Sequence, residues 1–180
     1  AERGSSGPQP RTASLAAAAS AEVGDAFGRL FAADKRPVVL YDGVCNMCNA
    51  AVDLALRNDP KGERLRFAAL QSGAGRGLLD FCGMSLDDIS SMVVVTPEGE
   101  CLFKSDAALF VGKRLEENPL LKLGSAAVSA VLPRGLRDVA YNAIANNRYK
   151  VLGKRDDMRL DEDGRDDRFV RDLPPAPSGA

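Results

Sequence analysis

Two cysteines, Cys45 and Cys48, stand in the sequence Cys45-Asn46-Met47-Cys48, directly after a short apolar run that ends at Asp42 and Gly43. Two thiols at this spacing close a small disulfide with little backbone motion. At a helix start, free N–H groups and a partial positive charge favour the thiolate. Attack by Cys45 on a disulfide gives a mixed disulfide, which Cys48 then resolves. Cys45 is expected at the helix cap, open to solvent, and Cys48 is expected to be shielded on the buried face with Val52. Asp42, three residues before Cys45, disfavours a thiolate electrostatically but can accept the proton of Cys48 during resolution. The commoner use of such an acid is to bond turn amides, here at Gly43 and Val44. A lone CxxC is also half of a zinc or iron–sulfur site. Cys82 and Cys101 read as small buried hydrophobes. A zinc site of four Cys needs a second close pair, which their separation does not supply.

The elements that must hold this pair follow from periodicity and turn residues. Residues 37–42 read as a buried strand. From 46 to 58, Cys48, Ala51, Val52, Ala55 and Leu56 share one helical face, and Asp59-Pro60-Lys61-Gly62 ends that helix. Residues 65–70 form a second strand and 76–82 a short helix. Residues 92–96 and 100–103 make a hairpin around Pro97-Glu98-Gly99. Ser105 is placed to cap a helix through Ala108, Leu109, Val111 and Leu115. Two further helices, 120–132 and 134–146, are separated by Pro133. The order βαβαββα predicts an α/β fold with a mixed sheet. Its first two strands lie parallel through a crossover helix, and its hairpin is antiparallel.

Outside these elements the composition changes. Residues 3–21 are rich in Ser, Ala and Arg without an acid, as in an organelle transit segment or its remnant, and the opening Ala1 suits a processed or trimmed chain. Leu15, Ala19, Val23, Phe27, Leu30 and Phe31 recur at helical spacing. They predict an amphipathic helix over 14–33 that either lies on the domain or docks a partner. Residues 155–180 carry eight acids, five Arg and three Pro, the composition of a solvated tail. The expected division is a transit-like and amphipathic extension over 1–35, a domain over 36–154 and a charged tail over 155–180. Asp161-Glu162-Asp163-Gly164 invites a calcium reading. Gly164 as sixth loop residue puts Arg159 first and Val170 twelfth, so the EF-hand register fails.

The bulk numbers remove several functions. Lys and Arg number 24 against 25 acids, which leaves no basic excess for nucleic acid. No apolar run is long enough for a membrane span. His and Trp are absent, which excludes His-ligated metals, Ser-His-Asp triads and Cys-His pairs. No cofactor and no metal are expected.

Tyr41-Asp42-Gly43-Val44-Cys45-Asn46-Met47-Cys48 resembles the Asp-x-x-Cys-x-x-Cys signature of the DCC family of predicted thiol-disulfide oxidoreductases. The similarity continues through Leu65-Arg66-Phe67, Leu70-Gln71, the hairpin and Ser105-Asp106-Ala107-Ala108. It closes with Pro133-Arg134, Tyr141 and Asn147-Arg148-Tyr149. The resemblance implies a thioredoxin-like fold, Cys45 and Cys48 as redox pair and Asp42 as signature acid. Two departures stand out. Thioredoxins place a cis-Pro before the third core strand, where this chain has Asp88-Ile89-Ser90-Ser91-Met92. A Cys frequent in relatives beyond the closing segment falls near Met158. The function expected is thiol-disulfide exchange on a disulfide-containing protein or small-molecule thiol, in the chloroplast or else the mitochondrion. The alternative is a non-catalytic accessory subunit of a large organellar assembly, such as a photosynthetic one, held through residues 14–33 and 155–180.

Overall fold

Val38 and Leu40 point to one side of the first strand and Val39 and Tyr41 to the other, and all four are buried. A strand apolar on both faces must be covered by a layer on each side. The computed structural model, which describes residues 11–115, 117–159 and 166–175 (without the side chains of 11–20 and of Asp166), supplies both layers. Its elements are α1 (Arg11–Ala33), β1 (Val38–Tyr41), α2 (Asn46–Arg57), β2 (Arg66–Ala69), α3 (Gly73–Phe81), β3 (Val93–Val95), β4 (Cys101–Phe103), α4 (Lys104–Arg114), α5 (Pro119–Val131) and α6 (Arg134–Leu152). The sheet runs β2-β1-β3-β4, with β1 and β2 parallel and the other pairs antiparallel. This is the mixed sheet of a thioredoxin-like fold. α2 and α4 pack on the face of Val39 and Tyr41, and α1 and α3 on the face of Val38 and Leu40. α6 crosses α4 and α2 outside the first layer.

Several local expectations change. α3 starts earlier, at Gly73, because Ser72 caps it by accepting from the Gly75 amide at 3.1 Å. Gly75 is needed there, since a Cβ would sit 2.0 Å from the Ala69 carbonyl oxygen. Ser105 is not a cap. Phe103 holds that position, and Ser105, the second residue of α4, donates its hydroxyl to Asp138 of α6.

Both terminal segments return to the domain. In α1 the side chains of Ala26, Leu30 and Phe31 are buried. Phe27 stacks on Phe81 with ring centroids 4.1 Å apart, and the Arg66 guanidinium lies over Phe31 at 5.2 Å. The apolar stripe of this part of the helix is therefore covered by the chain's own domain. The reading of the C-terminal tail as solvated is overturned at Arg168 and Phe169, while Asp167, Arg171 and Asp172 are exposed. Arg168 reaches Asp59 at 2.6 Å with both side chains buried, and Phe169 enters the core beside Phe67. A charged segment buries here because its Arg meets a buried carboxylate and its Phe finds an apolar site. Residues 1–10 and the acidic run 161–164 lie outside the described residues.

Cys82 and Cys101 are not free hydrophobes either. The end of α3 lies over β4, their Cα atoms stand 5.9 Å apart, and the two form a disulfide. The cross-link spans a separation of 19 residues, for which loop-closure entropy gives about 3 kcal/mol. The double variant Cys82→Ser, Cys101→Ser is expected to lose about that much in a urea melt. A loss below about 0.5 kcal/mol would show that the bridge does not restrain the unfolded chain.

Candidate redox site

The chain leaves β1 at Tyr41, turns through Asp42, Gly43 and Val44, and enters α2 with Cys45 as its N-cap residue in an extended conformation. Asn49, one turn along, locks the turn by donating Nδ2 to the carbonyls of Gly43 at 3.0 Å and Cys45 at 2.8 Å. Cys45 Sγ accepts the Cys48 amide at 3.4 Å. Both thiols are free, so the structure brings the predicted pair together at the positive end of a helix. Among the described residues no group of three or more His, Cys, Asp or Glu could hold a metal ion.

The expected exposure of the two sulfurs is reversed. Cys45 is 0% exposed, whereas Cys48 is half-buried and lines an open cleft of about 260 Å³ with Met47, Ala51, Met92, Tyr141 and Ile144. The cover over Cys45 is the strap of residues 153–159. Gly153 accepts from the Asn46 amide at 3.4 Å, Arg155 donates its amide to Val44 at 2.8 Å, and Arg159 donates its amide to Gly43 at 3.1 Å. Asn46 Nδ2 adds a bond to the Leu152 carbonyl at 2.8 Å. Gly153 has φ +73°, a conformation that glycine adopts without strain. Gly43 lets the strap come close, since a Cβ there would meet Met158 Cγ at 2.8 Å and the Arg159 carbonyl at 3.2 Å. Met158, where a relative's third thiol was expected, packs against the core.

Asp42 is 2% exposed and fully engaged. Oδ1 accepts the Val44 amide at 3.2 Å and Gln71 Nε2 at 2.7 Å. Oδ2 accepts an Arg148 Nη at 3.3 Å and the Tyr149 hydroxyl. The plain turn role thus holds for Val44, while the Gly43 amide goes to Gln71 Oε1 at 3.0 Å. Arg148, Tyr149 and Gln71 are the residues of the site to which sequence reasoning gave no role. Their signal was present: an acid destined for burial needs a cation and donors, and an Arg-Tyr pair closes the stretch that resembles the family.

Burial and neighbouring charge act on Cys48. Burial first, then the neighbouring Cys45 and the charge of Asp42, push Cys48 up to about 12, against a smaller opposing pull from Arg148. Cys48 is therefore a protonated thiol at neutral pH. Burial and the bond to Asp42 push Tyr149 up to about 12 as well, so its hydroxyl donates throughout the neutral range.

The profile of the DCC1-like thiol-disulfide oxidoreductases matches residues 39–154. The chain belongs to that family. Over 130 residues this DCC family chain is 41% identical to a chloroplastic DCC family protein of Arabidopsis thaliana, covering 72% of the chain and 73% of the relative. It is 38% identical over 133 residues to the uncharacterized protein YuxK of Bacillus subtilis, covering 74% of the chain and 93% of the relative. No solved structure matches it. Family membership supports a redox role and disulfide substrates. An accessory-subunit role gains no support from these matches, and the part of the N-terminal stripe offered as its arm lies on the chain's own domain.

The coupling of Cys48 to Asp42 is open to direct titration. In a Cys45→Ser background, the pH dependence of alkylation by iodoacetamide, read by mass spectrometry, reports Cys48 alone, because Cys82 and Cys101 are held in their disulfide. Asp42→Asn removes a like charge, so the Cys48 midpoint is expected to move down. An unmoved or rising midpoint would separate the carboxylate from the thiol.

Proposed function

We propose that this chain exchanges electrons between a Cys45–Cys48 dithiol and substrate disulfides. The observation that carries the reading is the pair of free thiols at the start of α2, with Cys45 as N-cap and its sulfur already accepting a helix amide. In the reductive direction the Cys45 thiolate attacks one sulfur of a substrate disulfide. The substrate S–S bond breaks, one substrate thiolate leaves and is protonated, and a mixed disulfide remains on Cys45. Cys48 then gives up its proton toward Asp42 and attacks Cys45 Sγ, which expels the second substrate thiolate. The substrate has gained two electrons and the chain holds a Cys45–Cys48 disulfide, returned to dithiol by a reductant thiol.

Roles follow the electrostatics. Cys45 is given the first attack by its place as N-cap of α2, and the raised value of Cys48 suits it to wait as a thiol until resolution. Asp42 is the acid adjoining the cleft that Cys48 lines, the place for a proton acceptor, although one of its four bonds must yield first. Because the strap covers Cys45, attack on a protein disulfide requires residues 153–159 to move aside. The compartment proposed is the chloroplast, supported by the chloroplastic Arabidopsis relative.

Two variants test the scheme. Cys48→Ser is expected to accumulate the mixed disulfide on Cys45. Asp42→Ala in the intact pair is expected to slow its release more than its formation. Equal slowing of both steps would return Asp42 to a turn residue, and a mixed disulfide found on Cys48 would invert the roles. For the strap, Asn46→Ala deletes the bond to Leu152, worth about 1 kcal/mol. Alkylation of Cys45 is expected to quicken about fivefold as the open state gains population. An unchanged rate would mean that the strap does not gate Cys45.

A further inference from the structure

Turnover leaves a Cys45–Cys48 disulfide, and a reductant thiol must open it at one of the two sulfurs. Cys45 is 0% exposed beneath the strap, whereas Cys48 lines the open cleft of about 260 Å³. That volume lies just below the range of about 300–1,000 Å³ typical of drug-sized ligands, so the space fits a small molecule. The only charged residues on its wall are Asp42 and Arg148, and they pair with each other at 3.3 Å. Arg148 spends further donors on the carbonyls of Ile89 and Ser90. The Tyr141 hydroxyl is bonded to the Met92 amide at 2.8 Å. Beyond Ala51, Met92 and Ala108, which border both spaces, a second hollow of about 200 Å³ lies between α2, α4 and α5. Leu54, Val111, Leu115 and Leu121 line it, and no charged residue does.

A charged thiol entering this space would lose hydration and meet no free counter-ion, whereas an apolar one gains by leaving water. On the dithiol reading above, we propose that the reductant of the Cys45–Cys48 disulfide is a small thiol on a neutral apolar tail, which enters the cleft and attacks Cys48. The incoming S–H bond breaks and a bond forms to Cys48 Sγ. The Cys45–Cys48 bond breaks, and Cys45 Sγ takes the electron pair and the proton. A second thiol then attacks the tail's sulfur in the mixed disulfide. Cys48 leaves, takes that thiol's proton, and the two tails depart joined by a disulfide. The chain has gained two electrons, both drawn from the thiols. Substrate and reductant thus reach the couple from opposite sides, the one at Cys45 under the strap and the other at Cys48 through the cleft.

The test starts from the full chain oxidised to the Cys45–Cys48 disulfide. Its reduction is followed by quenched alkylation and mass spectrometry at those two residues. The probes are ethanethiol, hexanethiol and mercaptohexanoate, alkyl thiols of nearly equal intrinsic reactivity that differ in tail length and tail charge. Hexanethiol is expected to act at least about tenfold faster than either of the others, within the limit of about fourfold for each added methylene. Ala51→Phe narrows the cleft from an exposed position of α2 and is expected to erase that advantage. If this variant does not fold, Ala145→Phe takes its place. Equal rates for the three thiols, or an undiminished hexanethiol advantage in the folded variant, would overturn the proposal and leave the dithiol reading standing. So would reduction by thioredoxin, a protein thiol, where none of the small thiols acts. A chain that never forms the Cys45–Cys48 disulfide would overturn both.

Discussion

A carboxylate held 2% exposed at the end of β1 must find a cation and several donors, because a buried charge without them is costly by several kcal/mol. In this chain Asp42 draws its partners from three places: the turn itself at Val44, the end of β2 at Gln71, and the last turns of α6 at Arg148 and Tyr149. The third set fixes the rest. To bring Arg148 and Tyr149 over Asp42, α6 must run across α2 and α4 and stop beside the cysteine turn. Arg148 also donates to the carbonyls of Ile89 and Ser90, so the loop before β3 is bound into the same cluster. Loss of either charged partner would leave the other buried alone, an effect of about 3–5 kcal/mol.

The path of the chain beyond α6 is a consequence of that docking. Leu152 and Gly153 emerge beside Asn46, and the strap then bonds Val44 and Gly43 in turn. The site therefore has two unequal sides. On one, Cys48 faces an open apolar cleft walled by α2, α6 and the loop before β3. On the other, Cys45 lies beneath backbone that is exposed over Lys154, Arg155, Asp156 and Asp157 and anchored at its end by Met158 in the core and by buried Arg159 on Asp53. Such a segment opens locally at much lower cost than the sheet beneath it. Cys45, the sulfur that caps α2, is thus the one that solvent reaches only after a local opening.

Much of this was legible in the sequence where a pattern had one physical solution. The doubly apolar β1, the helix after Cys45, the antiparallel hairpin and the break at Pro133 follow from period and punctuation alone. The Cys pair and Asp42 were identifiable by type and spacing. The features that stayed hidden depend on contacts distant in sequence. The burial of Cys45 comes from residues more than a hundred positions later, and no local pattern announces a strap. The bridge between Cys82 and Cys101 depends on how α3 lies over β4. Arg168 and Phe169 sit in a segment whose composition suggests solvent, yet Asp59 and Phe67 supply partners that composition cannot reveal. Ser105 had the residue type of a cap and is instead a tie to α6.

The central claim is that Cys45 and Cys48 work as one two-electron couple, and a redox titration addresses it most directly. The full chain is equilibrated across a series of glutathione buffers, quenched by alkylation and mapped by mass spectrometry. The account predicts that both sulfurs lose alkylation together as the buffer becomes oxidising, and that they appear as a Cys45–Cys48 disulfide within one chain. Cys45 and Cys48 that titrate separately, or that only ever carry glutathione, would contradict it.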